Sequence, residues 1–474
     1  MKHLSSEPVP ESLQPQEAKM SKVITAVESA SIGFPLFLTA YDPSDLPGGS
    51  LDPLGFERGY LFLSDKILPG LTNVANRPRY FSILCAGASL ANVDVSDPLR
   101  LQYQRRLECI QRFERFWALA NVLASQEADK ELPVSGIRGV TYVANKAESI
   151  LQAGIRRVSA DFKMLSRQIP YGVVGIYGAV ADGMRLFDRA TFTLSPDLGQ
   201  RLAEGFLAET DVPPMLLKAT REDGDIPIDK LAEWGLRAHI SGKAFPSEQT
   251  CMSEALHRNP IRSRMAAVLA DHPFQGPQDT EIQRFKRLLP AISSNASSLD
   301  LQEAVSTILA YEVCYQLIML GFERLLWLCR TLPAASITTS DLNSDPVLKL
   351  VCSRLPAVSS QFGKMLDIAH SDQFRIDLKR LDDTRKFLER ASASCNSPES
   401  LTKEVMARHS DVQRGKFDRG RPKMPWLEVM AERISLTMTR VGGVAKETMI
   451  PDDIAPHPYR LASADALITA TGGQ

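Results

Sequence analysis

The chain has 474 residues, 44% of them hydrophobic, and a formal net charge of −1. A chain this long builds a large core, divided into about two to four domains or subdomains. A charge near zero gives no support for an obligate nucleic-acid coat or a polybasic membrane binder, while leaving room for a local basic site. The seven cysteines are widely spaced with no C-x-x-C pair, which argues against a disulfide-stapled secreted fold and a cysteine-rich zinc site.

Residues 1–29 read as a disordered leader. Three prolines and several acidic residues stand there, without the apolar stretch of a signal peptide. From 30 to 76, short apolar runs alternate with Pro/Gly clusters such as Pro69-Gly70. This predicts little long regular structure, with a few small strands around 30–65 and again around 134–143. Arg77-Pro78-Arg79-Tyr80 then opens a compact apolar segment.

From Leu99 the pattern becomes helical. Tyr103, Leu107, Ile110, Trp117 and Asn121 recur at helical spacing, and Phe113 and Phe116 widen the stripe. PVSGIRGV breaks this helix, and Asn145 to Arg167 predicts another, ended by Pro170. Gly172, Gly175, Gly178 and Gly183 do not form a G-x-G-x-x-G fingerprint, and no Walker lysine follows them. They fit tight helix packing or turns. Ser195 with Pro196 predicts a helix start, and Asp229 another.

The most apolar stretch is 307–329. Glu312, Gln316, Glu323 and Arg324 interrupt it, so it reads as a buried helix rather than a membrane span. Residues 345–368 and 377–393 follow as helices. CNSPES marks a boundary, with Ser394 or Ser397 as the cap. Trp426 opens a segment that predicts a short helix against the core, and PHPYRLASADALI predicts a packed loop feeding a last helical turn.

The expected fold is mainly α: multi-helical, with an irregular N-terminal segment and a few short strands. The expected divisions are 1–29, 30–190, 191–300, 301–395 and 396–474. The last contains the most distinctive local feature, RHSDVQRGKFDRGRPK. Its six Lys and Arg against two Asp make 408–423 a +4 segment. Arg408, Arg414, Lys416, Arg419, Arg421 and Lys423 are candidate phosphate contacts, together with Arg77 and Arg79. Tyr80, His409 and Trp426 are candidate structural or ligand contacts. Two readings of the Arg77/Arg79 pair stay open: a fork for phosphate or carboxylate, or a clamp tying an irregular segment to the core.

Standard catalytic signatures are missing. There is no G-x-S-x-G elbow, no H-E-x-x-H and no zinc-deaminase pattern. No catalytic residue, metal ligand or cofactor is expected. Asp223 and Asp225 lack EF-hand spacing, and His257 and His272 lack a ligand framework.

The segment DPLGFERGYLFLSDKILPGLTNVANRPRYFSILCAG carries a Pro-Gly-x-Thr turn followed by Arg-x-Arg-Tyr. It resembles the N-terminal signature of a family of uncharacterised bacterial proteins found beside restriction or antiphage genes. RHSDVQRGKFDRGRPKMPW and PHPYRLA resemble that family's C-terminal elements. The resemblance implies a cytoplasmic, non-enzymatic subunit of an antiphage-defence or mobile-element complex. Its partners would be other proteins, with DNA as a second contact and no membrane. A divergent metal-dependent nuclease and a helical scaffold without ligand are the alternatives.

Overall fold

The structure is a computed structural model. It describes residues 52–94, 96–127, 132–276, 278–294, 298–332, 335–368, 379–418, 420–437 and 447–472. The leader and Arg419 lie outside the described residues. Within these limits the chain is mainly helical, and Ser50–Gln474 make one compact unit.

Two groups of helices share one hydrophobic cluster running from Leu54 to Ile468. The first comprises α1 (Glu57–Ile67), α2 (Pro78–Ser89), α3 (Leu99–Glu127), α4 (Val140–Gln152), α5 (Gln168–Tyr171), α6 (Val173–Gly183), α7 (Gly199–Glu209), α8 (Pro214–Glu222) and α9 (Ile228–Arg237). The second comprises α10 (Pro246–His257), α11 (Pro260–Asp271), α12 (Glu281–Ser293), α13 (Leu299–Thr331), α14 (Pro346–Ile368), α15 (Lys379–Ala393), α16 (Pro398–Arg414) and α17 (Leu461–Ala470).

In the first group α3 is the axis, packed on α2, α4 and α9. Of its predicted stripe, Ile110, Phe113, Phe116, Trp117 and Asn121 are out of solvent, Leu107 is half-buried and Tyr103, near the helix start, is exposed. In the second group α13 is the axis, packed on α1, α12 and α14. It is long and apolar enough to cross a membrane, yet 72% of its apolar window is buried by the rest of the chain. Ile308, Tyr311, Ile318, Phe322 and Leu325 supply that core, each such burial stabilising by about 1.5–3 kcal/mol.

Caps end the helices as the side chains dictate. Ser397 accepts from the Ser400 amide at 3.1 Å, and Thr280 and Gln283 cap each other reciprocally at 3.2 and 2.9 Å.

Every strand pairing among the described residues is short and antiparallel. β1 (Arg157–Ser159) pairs β4 (Asp225–Pro227), and β2 (Phe187–Asp188) pairs β3 (Thr193–Leu194). β6 (Phe417–Asp418) and β7 (Arg421–Pro422) form a hairpin. β5 (Ser336–Thr338), β8 (Leu427–Met430) and β9 (Arg433–Leu436) form a sheet ordered β5-β9-β8.

Five local expectations change. Residues 57–67 are helix, not strand or irregular chain, because Asp52 caps the start: its carboxylate accepts from Gly55 and Glu57 amides at 2.8 Å each. Residues 134–139 are turns rather than strand, and α4 begins at Val140. The helix read from Asn145 to Arg167 ends at Gln152, because Gly154 takes φ +62° and the next residues pair with β4. The Ser195 helix begins later, at Gly199, whose amide the Ser195 hydroxyl accepts at 2.9 Å. Residues 427–436 are a hairpin, not a helix, turning at Ala431 and Glu432, both with positive φ.

Candidate interaction site

Of the N-terminal arginines, Arg79 is buried and Arg77 is half-buried. Pro78 occupies the first turn of α2, which sets Arg79 and Tyr80 on its buried side. Arg79 Nε meets Glu248 at 2.9 Å, its Nη2 donates to the Lys243 carbonyl at 2.8 Å, and the guanidinium stacks 4.1 Å from the Phe245 ring. Burial lowers the Arg79 pKa, with Glu248 opposing that shift. The Tyr80 hydroxyl accepts from the Arg138 amide at 2.6 Å and reaches the Gly136 carbonyl at 3.2 Å, and its ring stacks on Tyr177 at 4.7 Å. The Arg77 guanidinium lies close to Gly136, where an added Cβ would fall 2.5 Å from its Cζ. Arg79 thus ties α2 to α10 and the segment before it, and Tyr80 ties α2 to the 134–138 turn.

The front of the 408–423 segment is also structural, and it is helix rather than loop through Arg414. Arg408 is buried. Its Nε donates to the Leu54 carbonyl at 2.9 Å, and its Nη2 pairs with Asp383 at 2.7 Å. Gly55 has φ +81°, and a Cβ there would stand 2.8 Å from Arg408 Nη2, so only glycine fits. His409 Nδ1 donates to the Pro53 carbonyl at 3.0 Å, and Nε2 accepts from the Trp426 amide at 2.8 Å. That pattern needs a neutral ring, and burial pushes the His409 pKa down to about 4. Gln413 and Lys416 donate to the Asp52 carbonyl. Residues 52–55 are thus held by α16, a meeting that neither segment announces alone. Arg79 and Arg408 have different neighbours, and no contact described for either links the two.

What remains outward is the back of the segment. Arg414 and Arg421 are exposed and Lys423 is half-buried. Beside them in the chain stand large exposed apolar side chains: Phe417 at 65%, Met424 at 62% and Met430 at 59%, with Val429 also exposed. Trp426 is half-buried against Phe322 and His409.

Sequence reading passed over a buried polar cluster around Glu312. This carboxylate in α13 accepts from His457 Nδ1 at 2.7 Å and the Tyr459 hydroxyl at 2.6 Å. Tyr60 and Tyr315 pack on the His457 ring at 4.4 and 3.9 Å. Glu281 accepts from the Tyr459 and Ala462 amides at the start of α17. The available signal was a glutamate inside the most apolar run of the chain, which needs a partner. Together these contacts fix PHPYR against the core.

Among the described residues, no three His, Cys, Asp or Glu side chains converge in a group that could hold a metal. No protein-family model, curated protein or solved structure matches this chain.

Proposed function

We propose that the chain is a non-enzymatic subunit that docks a protein partner through residues 414–430, in the bacterial defence or mobile-element setting that its N-terminal signature resembles. The supporting observation is the exposure of Phe417, Met424 and Met430 on and between two consecutive hairpins, flanked by Arg414 and Arg421. Aromatic, Met and Arg side chains are the types enriched at protein interfaces, and clustered exposed apolar groups mark such sites. The basic flank favours a partner that surrounds its apolar anchors with carboxylates. DNA contact is the weaker reading, since Arg79 and Arg408 are committed to internal ion pairs.

Co-expression with the products of neighbouring genes, followed by size-exclusion chromatography, tests this. The Met424→Glu/Met430→Glu double variant should lose about 100-fold or more in affinity, as expected when two hot spots go. Leu151→Glu, an exposed apolar position elsewhere, should retain binding. The reading fails if the complex tolerates the double variant. Salt-dependent duplex binding lost on Arg414→Glu/Arg421→Glu would replace it with a nucleic-acid face.

A further inference from the structure

Near its start α3 carries an aromatic ring on its exposed side. Tyr103 is 37% exposed and stacks on Phe192, with ring centres 4.3 Å apart and planes 21° from parallel. Phe192 in turn lies 5.5 Å from Phe187 at 23°. Both phenylalanines are buried, so the three rings form a ladder with Tyr103 as its outermost rung. Phe192 ends the tip of the β2–β3 hairpin, whose register pairs Phe187 with Leu194 and Asp188 with Thr193. It holds its place at φ +55°, a backbone conformation that bulky side chains rarely adopt.

Cations border this ring. Arg100 and Arg106 stand three residues before and after Tyr103, which sets all three on one side of α3. Arg106 Nη1 donates to the Thr191 carbonyl at 3.4 Å, which draws it toward the hairpin, and Arg189 is exposed at the hairpin tip. Among the described residues no carboxylate pairs with Arg100, Arg106 or Arg189, whereas Arg105 pairs with Asp97 and Arg112 with Glu108. Asp188 is turned into its own hairpin, accepting from the Ala190 and Thr191 amides at 2.7 and 3.2 Å.

We propose that Tyr103, with Arg100, Arg106 and Arg189 around it, is a binding site for single-stranded nucleic acid. An unpaired base stacks on Tyr103 as the next rung of the ladder, and the arginines meet the flanking phosphates. A base offers Tyr103 the same flat π-face that Phe192 offers from the other side, whatever the sequence. Arginines without carboxylate partners are the groups that a phosphate backbone engages, at no cost in broken ion pairs. A duplex holds its bases inside its own stack and presents none to the ring. The site uses none of the arginines of the Arg-x-Arg-Tyr or 408–423 segments, and it does not depend on the proposed docking face.

The test is fluorescence anisotropy of the full chain with labelled oligo-dT and oligo-rU of about 12 nucleotides, against a duplex of the same length. The two strands separate DNA from RNA. At least one should bind, more tightly than the duplex, and weaken as salt rises. Tyr103→Leu keeps an apolar cover on Phe192 but removes the π-face, and should weaken binding about 5- to 100-fold. Tyr103→Phe should bind as the wild type does. Arg106→Glu/Arg189→Glu should lose binding, while Lys218→Glu, an exposed cation on α8, should keep it. Failure of both strands to bind, equal binding of the duplex, or a folded Tyr103→Leu protein with unchanged affinity would overturn the proposal. If the leucine variant has no thermal transition, the double arginine variant decides, and unchanged affinity there overturns it.

Discussion

Glu114 interrupts the apolar face of α3 between Phe113 and Phe116, fully buried. Its carboxyl accepts from the Val173 amide at 2.7 Å and from Gln168 at 2.8 Å, so it caps α6 from across the core. Burial nonetheless pushes its pKa up to about 7 from an ordinary 4.5. A raised acid contributes stability that is fully present below about pH 4.5 and lost as pH rises through about 7. The shift corresponds to about 3 kcal/mol. Unfolding measured from pH 4 to 8 should show Glu114→Gln gaining on the wild type over that window, and parallel curves would contradict this. His409 has the opposite sign. Its pKa is depressed to about 4, so its contribution is fully present above about 6.5 and lost as pH falls through about 4. The deficit of His409→Gln should therefore shrink on acidification, again by about 3 kcal/mol. Neither role was legible in sequence. A local sum of charge along 408–423 sees six cations, but not that Arg408 finds Asp383 and Leu54, and the sequence around Arg79 does not show that it finds Glu248, because those partners come from distant parts of the chain.

At the scale of helices, close crossings decide what substitution is tolerated. α9 crosses α3 at Gly235, where a Cβ would stand 2.1 Å from the Ala120 carbonyl oxygen. Gly235→Ala must push the helices apart and should destabilise by about 3 kcal/mol or more, read as a lower urea midpoint. Gly178 in α6 is buried, yet a Cβ there meets nothing within 4 Å. Gly178→Ala should stabilise by about 0.5–1 kcal/mol through helix propensity and the unfolded chain. The long helices were legible because the start of α3 has helical periodicity and α13 is apolar along a run too long for a strand, and the Ser397 cap was legible because serine leads a Pro-Glu start. The Leu427–Leu436 hairpin was not. Its turn places Ala431 at φ +46° and Glu432 at φ +61°, where Asn-Gly would have signalled a turn, and both residues favour helix. Arg157–Ser159 escaped for a related reason: a strand this short has no alternation to read, and its partner lies beyond four intervening helices.

Across the whole molecule, the mainly helical architecture was legible because periodicity is a property of local sequence. The single hydrophobic cluster from Leu54 to Ile468 was not, since joining the two helix groups depends on long-range crossings. The same holds for the contact between residues 52–55 and α16. Its hydrogen bonds span 354, 356 and 361 residues of chain. During synthesis the 52–55 segment leaves the ribosome long before its partners exist, and it must wait for almost the whole chain to arrive. Closing so distant a contact is a late event in folding. Ribosome-bound chains stalled before residue 408 should be cleaved readily by protease near residues 52–55, whereas the released full-length chain should resist there. Equal protection in both would place that closure early. Arg408, which the sequence offers as a phosphate contact, and its neighbour His409 would then serve as the timing step of assembly, reporting to the start of the core that the rest has been made.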